Sequence, residues 1–317
     1  KVVVMGHRLP DADSFGAAIG IYRAAKSLNK KAYIVIDNPT SSIIPLMNTF
    51  RDNQDYEADM FVNNHEAKEI MDDNTLLVVV DTNKPSITQC EDLLYMAKMI
   101  VVLDHHRQGS DTIRNSVLSY IEPYASSASE MVAEILQYFT EGIRIRNVEA
   151  DSIYAGIMID TDNFMQKTGV RTFEAAAFLR RCGADVTRVR KLFREDMNDY
   201  KARGETIRNA ELFRGQFAIS ECPSDYVDSP TVVGAQAANE LLNIVGVKAS
   251  FVLTEYKGVI YISARAIDEV NVQIIMERMG GGGHLNMAGC QLETVNMEGA
   301  RSLLKSTLTE MQDGGEI

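Results

Sequence analysis

The chain is 317 residues long, and 45% of its residues are hydrophobic. This length exceeds what one hydrophobic core usually supports, so we expect two domains. The formal net charge of −12 disfavours long nucleic acid as a partner, although a basic cleft could still hold a small phosphate ester.

The four cysteines are widely separated and include no Cys-x-x-Cys pair. This usage favours a reduced cytoplasmic environment and no cysteine-zinc site. No apolar run approaches the ~20 residues that span a bilayer, and no signal peptide opens the chain. We therefore expect no membrane contact by this segment. The chain opens at Lys1 without an initiating Met, and we expect it to be part of a longer protein.

Residues 1–185 alternate short apolar, β-branched runs with helical patterns, as a doubly wound, mainly parallel α/β sheet does. The predicted strands of this region are 2–5, 33–36, 76–80 and 99–103. The predicted helices begin near Ser14, at 126 and at 149, and the last two end near 141 and 160.

Residues 185–214 are rich in charged side chains and predict one long helix between the two domains. A smaller α+β domain follows, with strands predicted at 217–220, 250–256 and 259–266 and helices at 232–244 and 297–312. A hairpin at Lys257–Gly258 joins the last two strands. The predicted boundaries are 1–185 for the first domain, 186–212 for the helical linker and 213–317 for the second domain.

Candidate metal ligands follow three of the predicted strands and end one predicted helix. They are His7, Asp11 and Asp13 after the first strand, Asp81 after LLVVV, Asp104, His105 and His106 after MIVVL, and Asp160 near the end of its helix. Because the carboxyl ends of parallel strands meet at one edge of a sheet, we expect these side chains to converge. Capping explains single Asp residues well but explains this set poorly.

Four of these carboxylates would bring a charge of −4 into one cleft: those of Asp11, Asp13, Asp81 and Asp160. Two divalent cations would balance that charge. Carboxylate and imidazole ligands without cysteine suit Mn²⁺ or a similar ion. The pattern therefore predicts a two-metal phosphoesterase site.

Four consecutive glycines, 280–283, precede His284. Such a loop lets the backbone approach an anion closely, although a flexible turn is the usual alternative. Arg265 and Asn271 would add specificity if they faced the same cleft, because a guanidinium binds phosphate in a bidentate manner. A solvated surface position for Arg265 is an equal alternative.

Five ordered motifs, HRLPDADSFGAA, VVVDTN, LDHHR, MIDTDNF and GGGGH, resemble the DHH phosphoesterase superfamily with its DHH-associated C-terminal domain. The resemblance covers essentially the whole chain. YIVIDNP at 33–39 and the run at 263–291 are most similar to the catalytic region of GdpP-type cyclic-di-AMP phosphodiesterases of Gram-positive bacteria. The resemblance implies a catalytic domain at 1–185 and a substrate-binding domain at 213–317. It also implies a cytoplasmic location and a parent protein anchored in the cell membrane by regions absent here.

The resemblance also implies roles for individual residues. One Mn²⁺ would be held by His7, Asp11 and Asp81, and a second by Asp13, Asp81, His105 and Asp160, with Asp81 as the bridge. Of the catalytic residues, Asp104 would fix an imidazole and His106 would contact a phosphate oxygen. The nucleotide would be held by Arg265, Asn271, Gly281, Gly282, Gly283 and His284. Asp162 offers a second acid two residues beyond Asp160.

The implied activity is hydrolysis of cyclic-di-AMP to 5′-pApA by a water activated between two metal ions. The expected partners are a cyclic dinucleotide and a second copy of the chain in a homodimer, with no long nucleic acid. Two alternatives stay open. One is an enzyme of the same superfamily that acts on short oligoribonucleotides or on 3′-phosphoadenosine 5′-phosphate, and the other is a nucleotide sensor without catalysis.

Overall fold

The computed structural model describes residues 1–194, 196–267 and 270–317. The chain divides into two compact units, Lys1–Arg194 and Glu195–Ile317. Position 195 of the predicted linker and positions 268 and 269 of the motif at 263–291 lie outside the described residues. Among the helices of the described ranges, none is long and apolar enough to cross a membrane.

The first unit contains a six-stranded sheet in which every neighbouring pair is parallel. Its strands are β1 Val2–Met5, β2 Ala32–Val35, β3 Phe61–Val62, β4 Leu76–Val80, β5 Met99–Asp104 and β6 Leu118–Ile121, in the order β3-β2-β1-β4-β5-β6. The central strands are almost entirely apolar because helices cover both faces of the sheet.

Eight α-helices and one 3₁₀ helix, Pro85–Ile87, belong to this unit. The α-helices are α1 Ala12–Ser27, α2 Ile44–Arg51, α3 Asn64–Ile70, α4 Asp92–Met96, α5 Ala128–Phe139, α6 Asn147–Asp160, α7 Val170–Arg181 and α8 Val186–Leu192. One core lies between the sheet and α1, α5 and α6, and a second core lies between the opposite face and α3 and α4. The predicted doubly wound α/β class is therefore confirmed.

The second unit contains a mixed six-stranded sheet in the order β11-β12-β10-β9-β8-β7. Its strands are β7 Glu211–Phe213, β8 Phe217–Cys222, β9 Ala249–Tyr256, β10 Val259–Ala266, β11 Gly282–His284 and β12 Met287–Leu292. Among the strand pairs of this unit that the structure describes, only β8 and β9 are parallel. The predicted hairpin joins β9 to β10 through Lys257 and Gly258, both with positive φ. Helices α11 Val272–Arg278 and α12 Met297–Asp313 cover one face, and α9 Met197–Arg208 and α10 Pro230–Leu241 cover the other.

The region predicted as one long charged helix contains two helices instead, α8 and α9. Asp196 caps α9 by accepting a hydrogen bond from Asn198 N at 2.7 Å. Val189 packs in the core of the first unit, whereas Ala202 packs in a core of the second. Residues 185–203 contain no glycine or proline, so this charged segment carries no signal of such a break. The division at 194/195 falls inside the predicted linker, and the predicted domain boundaries stay predictions.

Candidate metal centre

Three adjacent strands deliver most of the predicted ligands. β1, β4 and β5 end next to His7, Asp81 and the run Asp104–His106, respectively. Asp11 caps α1 by accepting a hydrogen bond from Ser14 N at 3.0 Å, and this cap places Asp13 in the first turn of the helix. Asp160 is the last residue of α6.

Within the first unit, the structure brings together all six side chains that were predicted as metal ligands. Two groups of three have donor atoms within 4.8 Å of one another: His7, Asp11 and Asp81, and Asp13, His105 and Asp160. A third group of this kind contains Asp81, His105 and His106. From the sequence, His106 was predicted to contact a phosphate oxygen and not a metal ion. The structure is compatible with either role.

Asp81 lies between the two groups. Its Oδ2 is 3.2 Å from His7 Nε2, and its Oδ1 is 3.3 Å from His105 Nε2. The residue is buried and has a left-handed backbone with φ of 59°, a conformation that Asp tolerates better than most residues. The two carboxylate oxygens therefore face different ligand groups, as a bridging carboxylate requires.

Burial and close acidic neighbours shift the pKa values of the cluster. Burial alone would lower the pKa of His7, but hydrogen bonds to Asp11 and Asp81 and their charges raise it to about 10. Burial also opposes the charged form of His105, yet contact with Asp81 and the charges of Asp13 and Asp160 raise its pKa to about 9. Without metal ions, protons therefore occupy both imidazoles at neutral pH.

The carboxylates are shifted as well. Burial, followed by the charges of Asp81 and Asp11, raises the pKa of Asp160 to about 6. Burial and the charges of Asp81 and Asp160 raise the pKa of Asp13 well above its ordinary value. Burial would raise the pKa of Asp11 too, but the hydrogen bond and charge of His7 lower it overall. Carboxylates that lie this close together need either bound protons or nearby cations.

Three buried atoms of the centre form no hydrogen bond of good geometry among the described residues: Asp81 Oδ1, Asn83 Oδ1 and His105 Nε2. Asp81 Oδ1 and His105 Nε2 lie 3.3 Å apart without such a bond. A buried polar atom without a partner is costly, unless an ion or a water satisfies it. The donor set of carboxylate oxygens and imidazole nitrogens matches the ligands of borderline and hard divalent cations. The residues therefore fit divalent metal ions.

Asp104 belongs to none of the three ligand groups but hydrogen-bonds to His106 and Asn83. Its Oδ1 accepts hydrogen bonds from His106 Nδ1 at 2.8 Å and from His106 N at 3.1 Å, and its Oδ2 accepts one from Asn83 Nδ2 at 2.5 Å. Asp104 is fully buried, whereas the His106 side chain is 58% exposed. The carboxylate thus holds the ring through Nδ1, and the catalytic roles of Asp104 and His106 stay predictions.

Sequence reasoning did not identify Asn83 or the backbone partners of Asp13. Asn83 lies two residues after Asp81 in VVVDTN, a motif that drew attention only for its aspartate. Asp13 accepts hydrogen bonds from Ala128 N and Ser129 N at 2.7 Å each, at the start of α5. Ser127 caps the same helix by accepting a hydrogen bond from Glu130 N at 3.0 Å.

Asp160 rather than Asp162 belongs to the ligand group. Asp162, Asn163 and Phe164 form a turn with left-handed φ values of 47°, 57° and 66° directly after α6. The exposed side chain of Asp162 accepts a hydrogen bond from Gln166 Nε2 at 3.4 Å. The turn therefore directs the second acid away from the cluster.

The candidate nucleotide-binding residues lie in the second unit, and two of them have local structural partners. Arg265 Nε donates to Asn239 Oδ1 at 2.9 Å, and Asn271 caps α11 by accepting from Gln273 N at 3.0 Å. Arg265 Nη1 also donates to Ala264 O at 2.9 Å, so that, of these two side chains, only Arg265 Nη2 and Asn271 Nδ2 remain as donors without a partner within the described ranges. Their predicted roles stay predictions.

The glycine run is not the open loop that its composition predicted. Gly282–His284 form β11, which pairs with β12. A Cβ at Gly281 would lie 2.1 Å from Gly289 O, and a Cβ at Gly283, where φ is 150°, would lie 2.5 Å from Met287 O. Close approach of two strands therefore accounts for two of the glycines. A role of this run in binding an anion stays a prediction.

Family models match both parts of the chain. The DHH family N-terminal domain matches residues 1–157, and the DHHA1 domain matches residues 217–310. A relative named cyclic-di-AMP phosphodiesterase GdpP, from Bacillus subtilis (strain 168), is 42% identical over 321 residues, which cover 99% of this chain and 48% of that protein. The chain thus spans about half the length of this relative.

Two solved structures share the fold. An exopolyphosphatase-related protein from Bacteroides fragilis has a TM-score of 0.79 at 21% identity and covers 99% of this chain and 93% of its own. The exonuclease RecJ bound to manganese has a TM-score of 0.52 at 13% identity and covers 96% of this chain and 89% of its own. Because the two family models match in order, the chain belongs to the DHH family and carries a DHHA1 domain in its C-terminal part.

Proposed function

We propose that this chain is a metal-dependent phosphodiesterase that hydrolyses cyclic-di-AMP to 5′-pApA. The proposed substrate rests on similarity to the B. subtilis relative, which is named for that activity and is 42% identical over nearly the whole of this chain. The reaction class rests on the metal centre of the first unit.

The observation that carries the proposal is the position of Asp81 between two ligand groups, with one oxygen near His7 and the other near His105. A single metal ion needs no such bridge. One ion would be held by His7, Asp11 and Asp81, and the other by Asp13, Asp81, His105 and Asp160. Mn²⁺ suits these mixed imidazole and carboxylate ligands. When bound, the ions supply a water of lowered pKa for in-line attack on phosphorus.

The remaining residues of the centre orient the phosphate. A cavity of about 300 Å³ is lined by His7, Asp81, Asn83, Lys84 and His106, among others. Asn83 and Asp104 hold the ring of His106 so that its free Nε2 contacts a phosphate oxygen. Lys84 is exposed at the rim and adds positive charge for a phosphodiester. Fixed groups of this kind accelerate phosphoryl chemistry through positioning and electrostatics.

The nucleotide is held by residues of the second unit: Arg265, Asn271, Gly281, Gly282, Gly283 and His284. Arg265 donates through Nε to Asn239 and through Nη1 to Ala264 O, and its Nη2 remains to bind a phosphate oxygen. The homodimer, the cytoplasmic location and the membrane anchor of a longer parent protein stay predictions.

Side-by-side kinetics test the proposal. The purified chain with Mn²⁺ is assayed on cyclic-di-AMP, 5′-pApA and 3′-phosphoadenosine 5′-phosphate, and kcat/KM is compared. We expect the cyclic dinucleotide to be the best substrate and 5′-pApA to accumulate. A larger kcat/KM for either linear compound would instead support the alternative enzyme of the same superfamily.

Binding in EDTA tests the sensor alternative. A sensor without catalysis would bind cyclic-di-AMP equally well with and without metal and would release no product. We expect affinity to depend on Mn²⁺, because the cluster without metal presents several carboxylates to a phosphate.

A further inference from the structure

The N-terminal turn of α5 holds the carboxylate of Asp13 through backbone groups. Ala128 N donates to Oδ2, and Ser129 N donates to Oδ1, each at 2.7 Å. The same Oδ2 lies 3.7 Å from His105 Nε2, inside the ligand group that also contains Asp160. The position of the α5 N-terminus therefore decides where the ligand oxygen of Asp13 lies.

The side chain of Ser129 sits where three helices meet. It is fully buried, and its Oγ donates to the backbone oxygen of Asp13 at 3.0 Å. A Cβ at Gly16 in α1 would lie 2.7 Å from this Oγ, and a Cβ at Gly156 in α6 would lie 2.2 Å from it. The Ser129 hydroxyl therefore occupies space that a side chain at either position would need. α1 carries Asp13, and α6 ends at Asp160, one turn beyond Gly156.

We infer that Ser129 is a positioning residue for the metal group of Asp13, His105 and Asp160. Its hydroxyl fixes how closely α1, α5 and α6 approach, and its N–H fixes one oxygen of Asp13, so that the other stays directed at His105. Ser129 is not itself a ligand. This inference rests on the proposed metal-dependent function, since it concerns the affinity of one of the two ions.

The test compares two serines of the same helix in the full chain. Ser129→Ala removes the hydroxyl at the helix junction. Ser127→Ala is the matched control, because Ser127 is equally buried and caps α5 through Glu130 N at 3.0 Å but has no bond to Asp13. Both changes weaken α5, so a purely structural role predicts similar behaviour of the two variants.

Metal content and Mn²⁺ affinity are the readouts, with circular dichroism and Tm as checks of folding. We expect the parent and Ser127→Ala to retain two Mn²⁺ per chain after gel filtration. Ser129→Ala should retain about one, with the affinity of the weaker ion lowered about tenfold to a hundredfold, as for other groups that support metal ligands. Saturating Mn²⁺ should restore most of kcat.

Gly156→Ala is a second route to the same hydroxyl, because the added Cβ would displace Ser129 Oγ. It should reproduce the selective loss of one ion and keeps the test decisive if Ser129→Ala is unstable. Folded variants with the Mn²⁺ content, Mn²⁺ affinity and kcat of the parent would overturn the inference alone. Loss of metal in Ser127→Ala equal to that in Ser129→Ala would do the same. A parent protein that retains no Mn²⁺ would overturn the proposed function and this inference together.

Discussion

Replacing Asp81 by Asn should remove nearly all activity while the fold is kept. The carboxylate is buried, and its two oxygens lie 3.2 Å from His7 Nε2 and 3.3 Å from His105 Nε2, so the change affects both ligand groups at once. A charge-assisted contact contributes about 1.5–3 kcal/mol, and losing one to each group costs about 3–6 kcal/mol. This corresponds to a decrease in kcat/KM of roughly 10²–10⁴.

The assay is steady-state hydrolysis of cyclic-di-AMP in saturating Mn²⁺, with metal content from elemental analysis and Tm from thermal unfolding. Asp162→Asn is the matched control, since that acid lies two residues beyond Asp160 and bonds only to Gln166 among the contacts of its side chain that the structure describes. We expect it to stay within about twofold of the parent. Activity of Asp81→Asn above about a tenth of the parent would refute the bridging role, and a larger effect of Asp162→Asn would reassign the ligand.

Three further predictions follow from the same geometry. Excess EDTA should abolish turnover, and added Mn²⁺ should restore it better than Ca²⁺, which prefers more oxygen ligands; full activity after metal removal, checked by elemental analysis, would contradict this. In the metal-free protein the pKa values of His7 and His105 rise from 6.5 to about 10 and about 9, so the folded state binds more protons than the unfolded state above pH 6.5. The stabilising contribution of the two protonated imidazoles is complete below pH 6.5 and is lost as the pH rises to about 10. The Tm after EDTA treatment should therefore fall between pH 6.5 and 9. A rise of Tm over this range would be inconsistent with these pKa shifts. Arg265→Ala and His284→Ala should lower kcat/KM by roughly tenfold to a hundredfold yet retain the Mn²⁺ of the parent, and elemental analysis showing metal loss would reject this division of roles.

Four of the six strands of the first unit and its ligands were predictable because each signal is local in sequence, whereas the two edge strands, β3 and β6, were not predicted. An apolar run such as LLVVV predicts a buried strand, and the acid that follows it must lie at the carboxyl edge of the sheet. The same reasoning applies to MIVVL and His105. Six predicted ligands therefore converge without any knowledge of the contacts between distant segments.

The supporting residues were not predictable in this way. Ser129 bonds to Asp13 across 116 positions of sequence, and no local pattern encodes such a contact. β11 was missed because glycine disfavours strands, and its pairing depends on the close approach of β12. The break between α8 and α9 was missed because it arises from packing in two separate cores.

The groups that hold the ligands in place differ from the ligands in whether they bind protons, and this difference can be measured. Without metal, protons and cations compete for the same atoms, because the imidazoles of His7 and His105 are protonated at neutral pH. The supports of Asp13 are the backbone N–H groups of Ala128 and Ser129, which bind no proton in this range. Altering a ligand should therefore change the number of protons released when Mn²⁺ binds, whereas altering a support should change Mn²⁺ affinity at an unchanged proton count. Calorimetric titration in buffers of different ionisation enthalpy separates the two cases.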